Sequence, residues 1–291
     1  MNPTQFNYAA PNSLDEAVEM LRKNQGAKIL AGGQILLPEM KLRHVFPSML
    51  VDLRKIRSLR GISYCKDGCL RIGAMDTYTE IAAHQDIREK YHALSEAVNS
   101  IGDLQVRNAG TIGGNLASRT PTAELPAVAL ALEFTINTIG SNGIRAIAAD
   151  QFFVDSCETV LEQGEIITSV DLPPHTNGTG SAYEKVKNPV NLSSICSVAA
   201  KIVRLANGKM SKCCVAVTGA TDCPRRLRAV ETMLESRELT ADNITAAALQ
   251  ASEEFAFRRD LYASAEYRAY LTKVFTEKVL TSATKRSGIP V

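Results

Sequence analysis

Two glycine-rich segments are the parts of this chain best suited to binding a charged ligand. The first, residues 31–36, reads AGGQIL and follows the apolar pair Ile29-Leu30. The second, residues 111–116, reads TIGGNL and sets two glycines beside a hydroxyl and an amide. Glycine turns leave backbone N–H groups unpaired and let the main chain approach a ligand closely. Charge-assisted hydrogen bonds contribute about 1.5–3 kcal/mol each, so two such turns suit a ligand with two phosphates.

The elements around the first turn follow local sequence rules. Ser13 is a good N-cap, and Glu16 completes an S-x-x-E capping box before apolar residues at helical spacing. This pattern predicts a helix over residues 13–23 with one buried face. Residues 27–30 read as a strand that leads into the first turn, and residues 50–53 read as another strand. Together these elements predict a small first subdomain.

The rest of the chain alternates predicted strands and helices around the second turn. In chain order we predict a hairpin over 62–65 and 70–72, helices over 77–83 and 91–100, a buried helix over 123–132, a second hairpin over 134–138 and 144–148, a strand over 166–172, a linker over 173–180, strands over 182–186, 194–205 and 212–218, and helices that begin near Arg225, Ala241 and Ala265. Three strands followed by three helices indicate an α+β C-terminal domain with a three-stranded antiparallel sheet.

Composition excludes several classes of protein. The 291 residues carry a net charge of +2, and no block of Lys and Arg stands out, which argues against nucleic acid as a partner. No apolar run approaches the roughly 18 residues of a membrane span. The first four residues, MNPT, lack the charged and apolar regions of a signal peptide, so we expect a cytoplasmic protein.

The cysteines and histidines show no spacing that favours a metal site or nucleophilic catalysis. Only four histidines are present, and the seven cysteines form no C-x-x-C pair and no Cys/His zinc pattern. We therefore predict buried thiols that pack as small apolar side chains. The cysteines are Cys65, Cys69, Cys157, Cys196, Cys213, Cys214 and Cys223.

The segments around both glycine turns resemble a known family. Residues 28–36 read KILAGGQIL, and residues 101–116 read IGDLQVRNAGTIGGNL. Together they are similar to the signature of the FAD-binding medium subunit of the molybdenum hydroxylases, the xanthine and carbon monoxide dehydrogenase family. The resemblance extends to FNY at 6–8, SLDEA at 13–17, LRIGA at 70–74, and Asp260 with SAEYR at 264–268.

The resemblance implies an α+β fold with a two-subdomain FAD-binding domain of the PCMH type. That domain covers residues 1–175, with subdomains at about 1–55 and 56–175, and the C-terminal α+β domain covers 181–288. It also implies the residues that contact FAD. The first turn holds the pyrophosphate, the second completes the cradle, and four further residues lie near the flavin or the ribityl chain; the full set is Ala31, Gly32, Gly33, Gln34, Ile35, Ile101, Thr111, Gly114, Asn115, Glu124, Ile167 and Lys185.

Several of these positions have an alternative interpretation. Ile101 is equally consistent with ordinary core. Glu124 stands where the family usually has Asp, which accepts from ribityl or ribose hydroxyls; otherwise it is an acidic residue that favours a helix N-terminus. Ile167 and Lys185 resemble contacts to the isoalloxazine ring, where a lysine at the pyrimidine edge would stabilise the reduced flavin. The alternative for Lys185 is a solvated strand lysine.

Two neighbouring segments bear on these contacts. After Lys185 the family pattern commonly has Arg and then Asp, whereas this chain has Asn188-Pro189 and Leu192. That departure changes the charges expected over the flavin. Arg107, before the second turn, either neutralises phosphate or anchors the loop through backbone carbonyls, and we favour anchoring.

The resemblance implies an oxidoreductase: an FAD-binding electron-transfer subunit of a molybdenum-containing hydroxylase or dehydrogenase. FAD is expected to be non-covalent and this chain to hold no metal and no catalytic side chain. A heterotrimer is implied, with the molybdenum cofactor in a large subunit and [2Fe–2S] clusters in a small one. Electrons would pass from the clusters through FAD to an acceptor such as NAD. Two alternatives stay open: a flavin-binding or assembly protein without redox turnover, and a self-contained flavin oxidase.

Overall fold

Three β-sheets organise the part of the chain that a computed structural model describes, residues 2–154, 158–205, 209–235 and 237–288. The strands are β1 (Asn7–Ala9), β2 (Ala27–Leu30), β3 (Met49–Asp52), β4 (Ile62–Tyr64), β5 (Leu70–Gly73), β6 (Thr135–Gly140), β7 (Gly143–Ala148), β8 (Ile166–Leu172), β9 (Thr179–Lys187), β10 (Ser194–Arg204), β11 (Met210–Thr218) and β12 (Arg225–Arg226). The helices are α1 (Leu14–Lys23), α2 (Leu36–Lys41), α3 (Tyr78–Ala83), α4 (Gln85–Lys90), α5 (His92–Ser100), α6 (Leu104–Ala109), α7 (Ile112–Leu116), α8 (Leu125–Leu132), α9 (Ala149–Phe152), α10 (Arg228–Leu234), α11 (Ala241–Gln250) and α12 (Ala265–Arg286).

The first sheet is parallel, in the order β1-β3-β2, and it delivers the first glycine turn. Helix α1 packs against it and begins where Ser13 Oγ accepts a hydrogen bond from Glu16 N at 3.2 Å. The predicted capping box is wrong in one detail. The Glu16 carboxylate accepts from Asn12 N at 2.8 Å, one residue before the N-cap, rather than from Ser13.

The second sheet is antiparallel, in the order β4-β5-β8-β6-β7, and it contains both predicted hairpins. Its core is shared with helix α8, in which every residue is buried. A helix that is apolar all round must lie inside a protein. Ala199 and Ala216, from β10 and β11, join this core, so α8 also packs on the C-terminal sheet. The predicted buried helix is confirmed.

The C-terminal sheet has four antiparallel strands, in the order β12-β11-β10-β9, so the predicted three-stranded sheet is wrong. The additional edge strand contains only Arg225 and Arg226, and two charged residues show no apolar alternation that sequence patterning could detect. For the same reason the helix predicted near Arg225 begins later, at Arg228. Helix α12 packs on β9 and β10 and covers one face of this sheet.

No disulfide joins any of the six cysteines in the described ranges, and five of the six are buried as predicted. Cys65 is partly exposed, and Cys157 lies outside the described residues. Within the same ranges, a helix long and apolar enough to cross a membrane is not found.

Candidate cofactor-binding site

The two glycine turns lie against each other and line one cleft of about 330 Å³. A Cβ atom at Gly32 would overlap the carbonyl oxygen of Ala109, so the first turn touches the backbone that leads into the second. A Cβ atom at Gly114 would lie 3.6 Å from the Cβ of Ala31, which is ordinary contact. Glycine at position 32 is therefore what allows the two turns to meet.

The first turn presents backbone donors to this cleft. Gly33 has a φ of +71°, a left-handed conformation that favours glycine. In the described ranges, the N–H groups of Gly33, Gln34 and Ile35 donate to no acceptor of the protein. The Gln34 side chain turns back and donates to Gly32 O at 3.1 Å. Three successive N–H groups at a cleft form a binding place for an anion.

The side chains of the second turn are held by the protein itself. Thr111 Oγ1 accepts from Gly114 N at 3.1 Å. Asn115 donates to the hydroxyl of Tyr78 at 3.1 Å and accepts from Leu125 N at 3.2 Å. Thr111 and Asn115 line the cleft, but these bonds show that their side chains also fix the shape of the turn and its attachment to α8.

The remaining walls are mostly apolar, with a few charges at the edge. Ile167 lies in the cleft on strand β8, as does Ile166 beside it. Several lining residues were not predicted from the sequence. Lys28 lies in the first glycine segment but was given no role, and the others lie outside both segments: Leu53, Met75, Tyr78, Leu161, Glu165 and Arg119. The packing of the first two sheets brings these residues to the cleft, and a local sequence pattern cannot predict such packing.

Glu165 is a buried carboxylate in this wall. It accepts from Arg145 Nη2 at 2.5 Å and from Thr138 Oγ1 at 2.5 Å. Burial alone would raise the pKa of Glu165, but the hydrogen bonds from Arg145 and Thr138 outweigh it and lower that pKa. Its charge is thus compensated within the protein.

Glu124 and Lys185 form a buried ion pair. Lys185 Nζ lies 2.6 Å from Glu124 Oε1, with the two side chains 2% and 7% exposed. Lys185 also donates to Leu192 O at 2.9 Å and to Ser100 O at 3.4 Å. Burial lowers the pKa of Lys185, and the Glu124 carboxylate opposes this shift. The alternative of a solvated lysine is wrong, because the side chain is buried.

Ile101 follows Ser100 directly and is itself buried. Its carbonyl oxygen accepts from Arg107 Nη1 at 3.1 Å, and Arg107 also donates to Gly102 O at 3.3 Å. The predicted anchoring role of Arg107 is confirmed by these bonds. The structure therefore divides the twelve candidate residues into two groups. Nine line the cleft, whereas Ile101, Glu124 and Lys185 lie outside its lining and close to one another.

The segment that departs from the family pattern forms a tight loop between β9 and β10. Asn188 N donates to Ser193 O at 2.8 Å, and Leu192 N donates to Asn188 O at 2.9 Å. Leu192 has a φ of +60°, which is unusual for leucine and costs about 1–2 kcal/mol. Its carbonyl is the one that Lys185 binds. The changed residues thus act on the ion pair through the backbone.

Arg268, on helix α12, is 1% exposed and holds two strand ends of the C-terminal sheet together. Its guanidinium donates to the carbonyls of Ile195 and Gly219, at the start of β10 and just after β11, and to Asp260 Oδ2 at 2.6 Å. Gly219 N in turn donates to Pro121 O at 2.8 Å, on the segment that leads to Glu124. The sequence shows Asp260 and Arg268 within a family motif, and the structure assigns them this clamp.

The residues present fit a cofactor that contains a pyrophosphate. The cleft combines free backbone donors, a glycine whose Cβ would block the approach of the two turns, and an apolar wall. Lys28 and Arg119 add positive charge to its lining, which also contains Glu39, and Arg119 is paired with Glu158 at 3.4 Å. Nothing in this lining offers an uncompensated buried carboxylate, which would repel phosphate.

Two family models match the chain along most of its length. Residues 4–175 match the FAD binding domain in molybdopterin dehydrogenase, and residues 181–283 match the CO dehydrogenase flavoprotein C-terminal domain.

Curated relatives match over nearly their whole length. The carbon monoxide dehydrogenase medium chain of Hydrogenophaga pseudoflava is 34% identical, over 98% of this chain and 99% of the relative. The glyceraldehyde dehydrogenase medium chain of Sulfolobus acidocaldarius is 32% identical, over 96% and 98%. An Escherichia coli xanthine dehydrogenase FAD-binding subunit is 28% identical, over 97% of both chains.

Solved structures give the same result. Carbon monoxide dehydrogenase from Hydrogenophaga pseudoflava superposes with a TM-score of 0.93 at 34% identity, covering 98% of this chain and 99% of that one. Quinoline 2-oxidoreductase from Pseudomonas putida 86 superposes with a TM-score of 0.90 at 28% identity, covering 99% of both chains.

Proposed function

Because the chain belongs to the FAD-binding medium subunits of the molybdenum hydroxylases, we propose that it receives electrons from iron–sulfur clusters of a partner subunit and passes them through FAD to an external acceptor. The chain is an oxidoreductase subunit of the carbon monoxide and xanthine dehydrogenase type. Hydroxylation of the substrate takes place on another polypeptide in this proposal. In this proposal the acceptor is NAD, oxygen, a quinone or another oxidant.

The contact between the two glycine turns is the observation that carries the proposal. The free N–H groups of Gly33, Gln34 and Ile35 would bind the pyrophosphate of FAD. The backbone at Gly114 would close the cradle from the other side, and Ile167 would pack on an apolar part of the cofactor. Bound FAD supplies the redox chemistry, and the chain supplies position and electrostatics.

Ile101 and Lys185 are proposed for the isoalloxazine end of the site, and Glu124 for the neighbouring ribityl or ribose hydroxyls. Their mutual proximity supports placing them beside one end of the cofactor, where the buried charges of Glu124 and Lys185 would act on it. Glu124 neutralises the charge of Lys185, so the pair acts on a ring as a dipole rather than as a lone cation. Its orientation is fixed by the carbonyl of Leu192.

The partners are proposed from the relatives. Several are named medium chains or subunits of complexes, which implies larger and smaller companions. We propose that the large companion carries the molybdenum cofactor and the small one carries [2Fe–2S] clusters. Relatives named for four different compounds all match this chain over nearly their full length. The compounds are carbon monoxide, glyceraldehyde, nicotine and caffeine. That variety supports a substrate site outside this subunit.

Purification of the tagged chain from its native host tests this function. We expect two companion polypeptides in defined stoichiometry, molybdenum and iron in the complex, and loss of flavin absorbance when an oxidisable substrate is added without oxygen. A chain that purifies alone with FAD and shows no substrate-dependent bleaching would favour the flavin-binding or assembly alternative. A chain that reduces its own FAD with substrate while alone would favour the oxidase alternative.

A further inference from the structure

The hairpin between β4 and β5 brings two thiols and a carboxylate together away from the cofactor cleft. Cys65 N donates to Cys69 O at 2.8 Å, and Gly68 N donates to Cys65 O at 3.0 Å, which closes a three-residue turn. Gly68 has a φ of +84°, as the last residue of such a turn requires. Asp67 Oδ1 accepts from Cys69 N at 3.2 Å, which holds Asp67 above the turn.

The ligand atoms of these three residues are spaced as a metal site requires. The sulfurs of Cys65 and Cys69 and a carboxylate oxygen of Asp67 all lie within 4.8 Å of one another. Ligand atoms around tetrahedral zinc, with Zn–S bonds of about 2.3 Å, are separated by about 3.8 Å. Small side-chain rotations would therefore place all three on one ion.

We propose that Cys65, Asp67 and Cys69 bind one thiophilic divalent cation of the zinc class. Thiolate ligands select zinc-like ions over magnesium and calcium, which prefer oxygen. The three residues supply three ligands, and the fourth position of a tetrahedral ion is left to water or to a ligand from solution. The binding releases protons from the thiols.

The surroundings of the hairpin permit access and limit the ligand set. Cys69 is buried and directly precedes β5, whereas Cys65 is partly exposed and Asp67 is exposed at the turn. The nearby Asp171 is not a ligand, because Arg71 holds both its carboxylate oxygens at 2.7 Å. An ion can thus enter from solvent, and its protein ligands are limited to the two sulfurs and the Asp67 carboxylate.

The sequence predicts no metal in this chain, and the proposal departs from that expectation. The three-residue spacing between Cys65 and Cys69 falls within the C-x2-4-C range of zinc sites, but the sequence has no second Cys or His pair to complete the usual pattern. What creates the site is the hairpin register: just beyond its last pair, Tyr64 with Leu70, the backbone hydrogen bond from Cys65 N to Cys69 O sets the two cysteines opposite each other. No residue of the site lines the cofactor cleft, so the two sites are separate.

Titration of the reduced, metal-free full-length chain with zinc or cadmium tests the proposal. We expect one tightly bound ion per chain and, with cadmium, a thiolate charge-transfer band in the ultraviolet. The double variant C65S/C69S should lose that ion and that band. D67N keeps both thiols and the hairpin, and its Kd should rise by more than about tenfold, since even outer-shell changes commonly cost about 10–100-fold.

The matched control is C213A/C214A, which removes two adjacent thiols that alternate across strand β11 and cannot converge on one ion. It should keep one ion per chain. Three results would overturn the proposal: no ion bound at stoichiometric concentration, the same affinity in D67N as in the parent chain, or an ion retained by C65S/C69S. If C65S/C69S does not fold, the comparison of D67N with the parent chain decides.

Discussion

The ammonium group of Lys185 lies 2.6 Å from a carboxylate oxygen of Glu124, and both side chains are buried. The pair connects strand β9 to the residue that precedes helix α8. Removal of one partner from a buried pair leaves an uncompensated charge, which typically costs about 3–5 kcal/mol. The pair is therefore suited to hold a fixed electric field beside the proposed flavin site.

Opposite shifts of the flavin potential are expected when each partner is neutralised. Lys185→Met leaves a negative charge near the ring, disfavours the anionic reduced flavin and should lower the two-electron potential by about 20–40 mV, equivalent to about 1–2 kcal/mol. Glu124→Gln leaves a positive charge and should raise the potential by a similar amount. Redox titration of the two variants at full FAD occupancy measures both shifts. Shifts of the same sign, or none, would remove the pair from the flavin site.

Gly32→Val should abolish FAD binding without unfolding the chain. The new side chain would overlap the carbonyl of Ala109 and force the two turns apart, so the backbone donors would no longer converge. FAD per mole of folded protein measures the effect. Gly143→Ala is the matched control, because no atom lies within 4 Å of the added Cβ although φ is +100°. It should lose about 1 kcal/mol of stability and keep its FAD. Equal flavin content in both variants would contradict the proposed cradle.

Arg268→Met should destabilise the chain by about 2–6 kcal/mol. The substitution leaves the carbonyls of Ile195 and Gly219 buried and without their donor, and each such group costs about 1–3 kcal/mol. Urea unfolding measures the loss. The control Arg22→Met removes an arginine whose ion pair with Glu19 is exposed, and the variant should unfold at nearly the parental urea concentration. A small loss in both variants would show that Arg268 is no clamp.

Acid should lower the stability of the folded chain through protonation of Glu165. The pKa of this group is lowered in the folded chain, so the unfolded chain binds more protons in the window below pH 4.5. The stability that Glu165 contributes is thus present above its unfolded pKa and is lost as pH falls through its folded pKa. Between pH 6 and about pH 3, the free energy of unfolding should fall less steeply for Glu165→Gln than for the parent chain. Parallel profiles would show that this carboxylate does not drive the loss.

Local motifs and long-range contacts differ in how far the sequence predicts them. The helix begun by Ser13 and the buried helix α8 follow from nearby residues and are confirmed. The turns at Gly32 and Gly114 are recognisable as ligand-binding motifs, but only the fold shows that they touch. The pairing of Glu124 with Lys185 joins residues 61 positions apart, so no local pattern could report it.

The shortest strands and helices were not predicted from the sequence, for a different reason. Strand β12 has only two residues, and helices α6 and α7 have six and five, which is too short for a period to be visible. Their ends are nevertheless capped by identifiable side chains, Asp103 for α6 and Thr111 for α7. Capping residues mark where a short helix begins only once the tertiary fold makes that helix favourable.

The flavin content of the purified chain shows whether this subunit binds FAD in the cleft. We predict one FAD per chain, held without a covalent bond, because the cleft has the backbone donors for a pyrophosphate and neither glycine motif contains a His or Cys that could tether the ring. Acid precipitation should release all of the yellow colour, and chromatography of the supernatant should identify it as FAD in a 1:1 ratio to protein. A chain that purifies folded and colourless and takes up no added FAD would contradict the proposed FAD site. Flavin that stays in the pellet would contradict non-covalent binding.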